Sequence, residues 1–162
     1  MIDSAGLRER LLFLADVVTR EAGYLAQTDA RLFGAPFGLA EVAGLAHNPD
    51  LSERVDAFVS RFGRLQDTLG GSLLPQLLAV MLEPVGSVLD NLNRAERLGW
   101  VRSASEWAEL RLLRNRMVHE YVRDAQELVD ALHAAHRGVT DLTAAAAAIA
   151  QRARELGSPA TS

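Results

Sequence analysis

Three features of this 162-residue chain predict an all-α protein, an up-and-down bundle of about five to six helices. Apolar residues recur three and four positions apart through most of the length, the spacing that puts them on one face of a helix. Helix-start signals stand ahead of several of these runs. The strict alternation of a half-buried strand persists nowhere.

The elements read in order. Leu7, Leu11, Leu14, Ala15, Val18 and Ala22 predict a first helix from about residue 4 to 30. Phe33 to His47, with Gly34, Pro36, Gly38 and Gly44, reads as a loop or a short broken helix. Asp50 is placed to cap a second helix through Leu51, Val55, Phe58, Val59, Phe62 and Leu65, which Gly70-Gly71 should break or bend. Leu73 to Leu82 makes a short apolar helix, and Pro84 opens another through Val88, Leu89, Leu92 and Ala95. Ser103 with Glu106 fits a reciprocal cap for a helix from Glu106 to about Tyr121. Asp124 with Glu127 is an acidic version of that cap, opening a last helix through Leu128, Leu132, Ala135, Val139 and Leu142. Ala144 to Ala148 is strongly helix-forming and continues it until Gly157-Ser158-Pro159. One domain over residues 1–157 with a loose tail at 158–162 accounts for the whole.

Composition narrows the class. No apolar run reaches the ~18 residues of a membrane span. Asp3, Arg8, Glu9 and Arg10 make the start unlike a secretory leader. Cysteine is absent, which leaves no disulfide or thiolate metal site and suits a reducing cytosol, so a soluble cytoplasmic protein without membrane association is expected. The net charge of −4 gives the whole protein no general attraction to nucleic acid. Every basic residue is arginine, and Arg94, Arg97, Arg102, Arg111, Arg114, Arg116 and Arg123 fall close together, so a local basic surface is expected.

Within that cluster Arg114, His119 and Tyr121 form R-x4-H-x-Y. The bare Arg–His spacing arises by chance about 0.4 times in a chain of this composition, so context must carry it. Chemically the pair suits cleavage of RNA. The 2′-hydroxyl supplies the nucleophile, a histidine exchanges protons near neutrality, and an arginine gives a permanent charge and a planar fork for phosphate oxygens. Asn115 is suited to orienting either group. At about 100° per residue, His119 lies about 140° around an unbroken helix from Arg114, while Tyr121 lies about 20° from it. Convergence of Arg114 with His119 therefore needs either a distorted helix end or a second copy across a two-fold axis.

The wider run Trp107-Ala108-Glu109-Leu110-Arg111-Leu112-Leu113-Arg114-Asn115-Arg116-Met117-Val118-His119-Glu120-Tyr121 resembles the signature helix of the HEPN superfamily, where an R-N pair leads to H-x-Y. Phe62 to Leu69, Leu89-Asp90-Asn91-Leu92 and Leu98-Gly99-Trp100 are similar to the small bacterial HepT type. The likeness spans about Phe58 to His136 and leaves out the first fifty residues. It implies a HEPN-like bundle and a metal-independent endoribonuclease, the toxin of a toxin–antitoxin pair, acting on single-stranded RNA as a homodimer with a composite active site. Arg114, Asn115 and His119 would be catalytic, with Arg111 and Arg116 contacting substrate and no metal or cofactor. In the HepT type the tyrosine matching Tyr121 is adenylylated by a nucleotidyltransferase-fold antitoxin.

Blander readings stand beside each of these. Arg114 and Arg116 also suit solvated charges near a helix C-terminus, His119 a partly buried histidine on a backbone carbonyl, and Tyr121 a rim aromatic. His133 and His136 lack a third metal ligand at useful spacing and read as solvated helix residues. His47 reads as part of a turn. Trp100 and Trp107 suit anchors between helices better than base-stacking platforms. Asp90-Asn91 suits an exposed polar stripe as well as a cleft, and Gly70-Gly71 lacks the context of a phosphate loop. The alternative function is a non-catalytic helical dimer that binds a partner or a nucleotide.

Overall fold

The computed structural model describes residues 4–119 and 123–159, and of Val118 and His119 the backbone only. Its α-helices are α1 (Ser4–Phe33), α2 (Leu39–Ala43), α3 (Pro49–Thr68), α4 (Leu74–Val80), α5 (Val88–Arg97), α6 (Ala104–His119) and α7 (Ala125–Gly157). No strand occurs among the described residues, and no helix there is long and apolar enough to cross a membrane.

Four of these helices form the core, in an up-down-up-down ring. Cross-helix contacts fix the directions. Thr28 meets Arg61 and Glu21 meets Thr68, so α1 and α3 are antiparallel. Arg114 lies against Gly63 and Trp107 against Gly70, so α6 returns antiparallel to α3. Leu110 covers Gly138, and Arg154 near the end of α7 reaches Asp16 in the first half of α1, which closes the ring. Leu11, Val18 and Leu25 of α1, Phe58, Phe62 and Leu65 of α3, and Leu132, Leu142 and Ile149 of α7 are fully or almost fully buried between them. Each such large side chain stabilises the fold by about 1.5–3 kcal/mol relative to exposure. Ala135, Ala145, Ala146, Ala150 and Ala153 are also buried, and these small residues let α7 pack closely along its length.

Several helix ends differ from expectation, each for a visible reason. Asn48, not Asp50, caps α3: its side chain accepts from the Leu51 amide while Pro49 fills the first turn, where a missing N–H costs nothing. Pro84 stays in a loop, and α5 starts from Ser87, which exchanges reciprocal bonds with Asp90. Asn91 is no exposed polar residue. It is buried, and its amide closes the preceding loop by bonding both the N–H and the carbonyl of Gly86. Ser103 accepts from the Glu106 amide as expected, but the Glu106 carboxylate binds Arg102, and α6 begins at Ala104. Asp124 caps α7 through the Gln126 and Glu127 amides, and the alanine run is helical to Gly157.

Gly70-Gly71 does not break the chain. Leu69–Leu73 forms one wide π-turn that runs directly into α4. Leu65, Leu69, Leu73, Leu74 and Leu77 are all fully buried, and the extra residue of a π-turn shifts the register so that both Leu73 and Leu74 reach the core.

Candidate functional site

Helix α6, which carries Arg114, Asn115 and His119, presents a stripe of Trp107, Arg111 and Arg114 to α3 and the π-turn after it, positions separated by four and three residues. Trp107 is buried, and its ring rests 3.5 Å from the place a Cβ would occupy at Gly70. One turn on, Arg111 is exposed and borders a cavity with Gln66 and Asp67. At the next turn the Arg114 stem lies flat on α3 at Gly63, where an added Cβ would stand 2.7 Å from Nε. Its Nη1 donates to both carboxylate oxygens of Asp67, at 2.6 and 2.7 Å. Both partners keep contact with solvent, the Arg114 side chain being 41% and Asp67 52% exposed.

Asn115 and Arg116 are exposed on other faces of the helix. Arg116 opens toward α7, into a groove of about 590 Å³ that Glu127, Asp130 and Arg137 also line. The two arginines expected to hold substrate thus border different cavities: Arg111 shares the Arg114 side, and Arg116 does not. The helix stays α-helical to His119, so the 140° turn between Arg114 and His119 applies to it as about the ideal value. The His119 side chain and all of Tyr121 lie outside the described residues.

Three of the seven arginines of the expected basic surface pair with acids among the described residues. Arg94 binds Glu83 at 2.7 Å, Arg102 binds Glu106 at 2.9 Å and Asp141 at 3.4 Å, and Arg114 binds Asp67. Asp67 is the partner that sequence spacing does not reveal, since it stands 47 positions from Arg114. Gly63 leaves room for this pair, since an added Cβ there would press on the Arg114 side chain.

Polar groups continue inward from Asp67. Thr68 donates to Oε1 of Glu21 at 3.1 Å, while Oε2 of Glu21 is buried with no hydrogen-bond partner among the described residues. Burial pushes the Glu21 carboxyl up from its ordinary value, opposed by the Thr68 bond and by Arg64 and aided by the charge of Asp67.

No family model, no curated protein and no solved structure matches this chain.

His133 and His136 prove to be structural residues in place of the solvated pair expected. His133 Nε2 sits 2.6 Å from the Phe37 carbonyl, and His136 stacks on Phe33 while bonding Asp29 at 2.6 Å. They tie α7 to the end of α1 and the loop after it. Trp100 is half-buried against the core at the turn after α5, where its backbone N–H donates to the Ala95 carbonyl, and Trp107 packs on Gly70, so both act as anchors. Among the described residues no three His, Cys, Asp or Glu side chains gather as a metal site.

Proposed function

We propose that this chain is a HEPN-type endoribonuclease that cleaves single-stranded RNA without a metal, the toxin of a HEPN and nucleotidyltransferase-fold pair. The observation that carries the reading is the state of Arg114. It stands half-exposed on the helix bearing R-N-x3-H, and Asp67, a carboxylate that borders an open cavity with Arg111, holds it by a single nitrogen. Neither bond to Asp67 uses Nη2, which leaves that donor for a phosphate oxygen. The bundle is all-α, as the reading requires, a ring of antiparallel helices.

In the reaction, the 2′-oxygen attacks the adjacent phosphorus, and the bond to the leaving 5′-oxygen breaks. The 2′-hydroxyl gives up one proton and the leaving oxygen gains one. His119 serves that exchange, Arg114 balances the negative phosphorane, and Asn115 orients one of the two. Because His119 is about 140° around α6 from Arg114, the complete site is shared by two chains, with the histidine of one facing the arginine of the other. Adenylylation of Tyr121, which the resemblance implies, would add bulk and a phosphate's negative charge to the motif and repel RNA.

Asp67 also favours a second reading, the non-catalytic helical module, because an arginine paired across two helices can be wholly structural. The test is cleavage of single-stranded RNA by the purified chain beside Arg114→Ala and His119→Ala. Loss of cutting in both with the fold intact supports the nuclease, whereas three inactive proteins that still fold and dimerise support the module.

A further inference from the structure

A second cavity, between α1 and α3 and away from Arg114, gathers charge of both signs. It measures about 360 Å³ and is bordered by Thr28 and Arg31 of α1 and by Asp50, Glu53, Arg54 and Arg61 of α3. Three guanidiniums and two carboxylates share this one opening, yet no two of them form an ion pair among the described residues. The side chains of Arg31, Arg54, Asp50 and Glu53 make no hydrogen bond there either. Arg61 is the one that is tied down. Its Nη1 donates to the Tyr24 carbonyl at 3.3 Å and to Oγ1 of Thr28, and its guanidinium carbon lies 5.4 Å from the centre of the Tyr24 ring. Those acceptors are neutral, so the cation is fixed in place with its charge uncancelled.

Elsewhere on the bundle opposite charges that come close do pair, as Arg94 does with Glu83, Arg102 with Glu106 and Arg152 with Glu155. At this cavity they stand apart, and each keeps its capacity for a ligand. Arginine forks match phosphate oxygens. Carboxylates accept hydrogen bonds from hydroxyl groups, as an acidic side chain does from a ribose in dinucleotide sites. An inorganic anion would meet the arginines but be repelled by Asp50 and Glu53. A neutral sugar would suit the carboxylates and leave the arginines unmatched. A ligand that joins a phosphate to several hydroxyls satisfies both sets at once. The cavity is also large enough for one, at the lower end of the ~300–1,000 Å³ of small-molecule sites.

We infer that this cavity binds a phosphorylated sugar, with Arg31, Arg54 and Arg61 on the phosphate and Asp50 and Glu53 on the sugar hydroxyls. The ribose phosphate of a nucleotide, free or at the 5′ end of an RNA, has this chemistry. The site is separate from Arg114, because Asp67 stands 13 positions beyond Arg54, about 20 Å along α3. It therefore holds whether or not the chain cuts RNA. Arg31 comes from α1 and the other four charged groups from α3, so an occupant ties the two helices together and stabilises the fold.

Calorimetric titration with ribose 5-phosphate, inorganic phosphate and ribose, together with melting curves, tests this. Ribose 5-phosphate should bind and raise the melting temperature. Inorganic phosphate should bind at least about tenfold more weakly, and ribose not detectably, each lacking one set of partners. Arg31→Gln should weaken ribose 5-phosphate by about tenfold, the loss of one charge-assisted bond. Asp50→Ala combined with Glu53→Ala should weaken it too, yet strengthen inorganic phosphate, because the repulsion is gone. All three positions are exposed, so the free variants should melt close to the wild type. The tighter of adenosine monophosphate and a 5′-phosphorylated RNA, the latter read against its 5′-hydroxyl counterpart, identifies the source of the ligand. Ribose 5-phosphate that does not bind, or binds no tighter than inorganic phosphate, overturns the site. So does binding indifferent to Arg31→Gln, or a sugar phosphate held more tightly once the carboxylates are gone. Cleavage of a 5′-hydroxyl RNA should be the same in Arg31→Gln as in the wild type, so neither result touches the nuclease reading.

Discussion

Arg114 meets both carboxylate oxygens of Asp67 through one nitrogen, across the seam between α6 and α3. An exposed pair of this kind contributes about 0–1 kcal/mol, so its consequence lies in where it holds the guanidinium. In the nuclease reading, RNA phosphate and Asp67 compete for the same cation. Asp67→Asn should therefore lower the KM for RNA severalfold and shift the melting temperature little. A KM that stays put in steady-state kinetics would mean that Arg114 does not bind substrate.

Gly63 allows this arrangement. Alanine there would gain about 0.8–1.0 kcal/mol of helix propensity, but its Cβ would stand 2.7 Å from the Arg114 Nε. The long arginine side chain would yield and leave Asp67. Gly63→Ala should thus be as stable as the wild type or more so, while altering RNA cleavage. Unchanged kinetics would dissociate the position of Arg114 from catalysis.

Glu21 ties stability to pH. Burial raises its carboxyl above the ordinary 4.5, so the folded chain favours the protonated form. Below 4.5 that preference costs nothing, because the unfolded chain is protonated too. As pH rises from there through the raised value, the unfolded state ionises first and stability falls. Glu21→Gln should melt higher than the wild type at pH 7, and the difference should vanish on acidification below that window. Melting curves across pH measure this, and a Gln variant that is less stable at neutrality would refute the sign.

Two helix ends close with the same pair of backbone bonds but different residues. After α5, Gly99 takes the left-handed position at φ +81°, and the Trp100 amide reaches Ala95. After α4 the left-handed residue is Leu82, at φ 59° and 93% exposed, with the Glu83 amide on Leu78. A side chain there costs about 1–2 kcal/mol that glycine avoids. Leu82→Gly should raise unfolding free energy by about 1 kcal/mol in denaturant titration. A loss of stability would show that Leu82 is held by contacts outside the isolated chain.

The fold class was legible because α1, α3 and α7 carry long apolar stripes at helical spacing, and Asp124 and Ser103 announce the helices that follow them. What the pattern hid was tertiary. Gly70-Gly71 looked like a break or a bend because helix propensity is local, whereas the buried leucines on either side keep the chain helical through a π-turn. Asn91 looked as fit for an exposed stripe as for a cleft because its partner, the Gly86 backbone, belongs to a loop that no periodicity describes. The histidines of α7 looked solvated because Phe33, Phe37 and Asp29 lie about a hundred positions away. At the site, Arg114 stood out by motif, but Asp67 and Gly63 belong to a helix whose residues look ordinary until α6 packs on it.

The claim that Arg114 and His119 complete a two-chain site sets the oligomeric state. Light scattering at tens of micromolar should give about twice the 17.6 kDa chain mass. Mixing Arg114→Ala with His119→Ala chains should restore part of the activity that each has lost, since one of the two shared sites is then intact. A monomer, or no rescue in verified mixed dimers, would contradict the shared site.

The central claim is RNA cleavage through the 2′-hydroxyl without a metal, and the most direct measurement is mass spectrometry of the ends formed from single-stranded RNA in excess EDTA. The wild type should leave 2′,3′-cyclic phosphate and 5′-hydroxyl ends, and Arg114→Ala and His119→Ala none. Cleavage abolished by chelation, 5′-phosphate ends, or variants that cut as well as the wild type would contradict it.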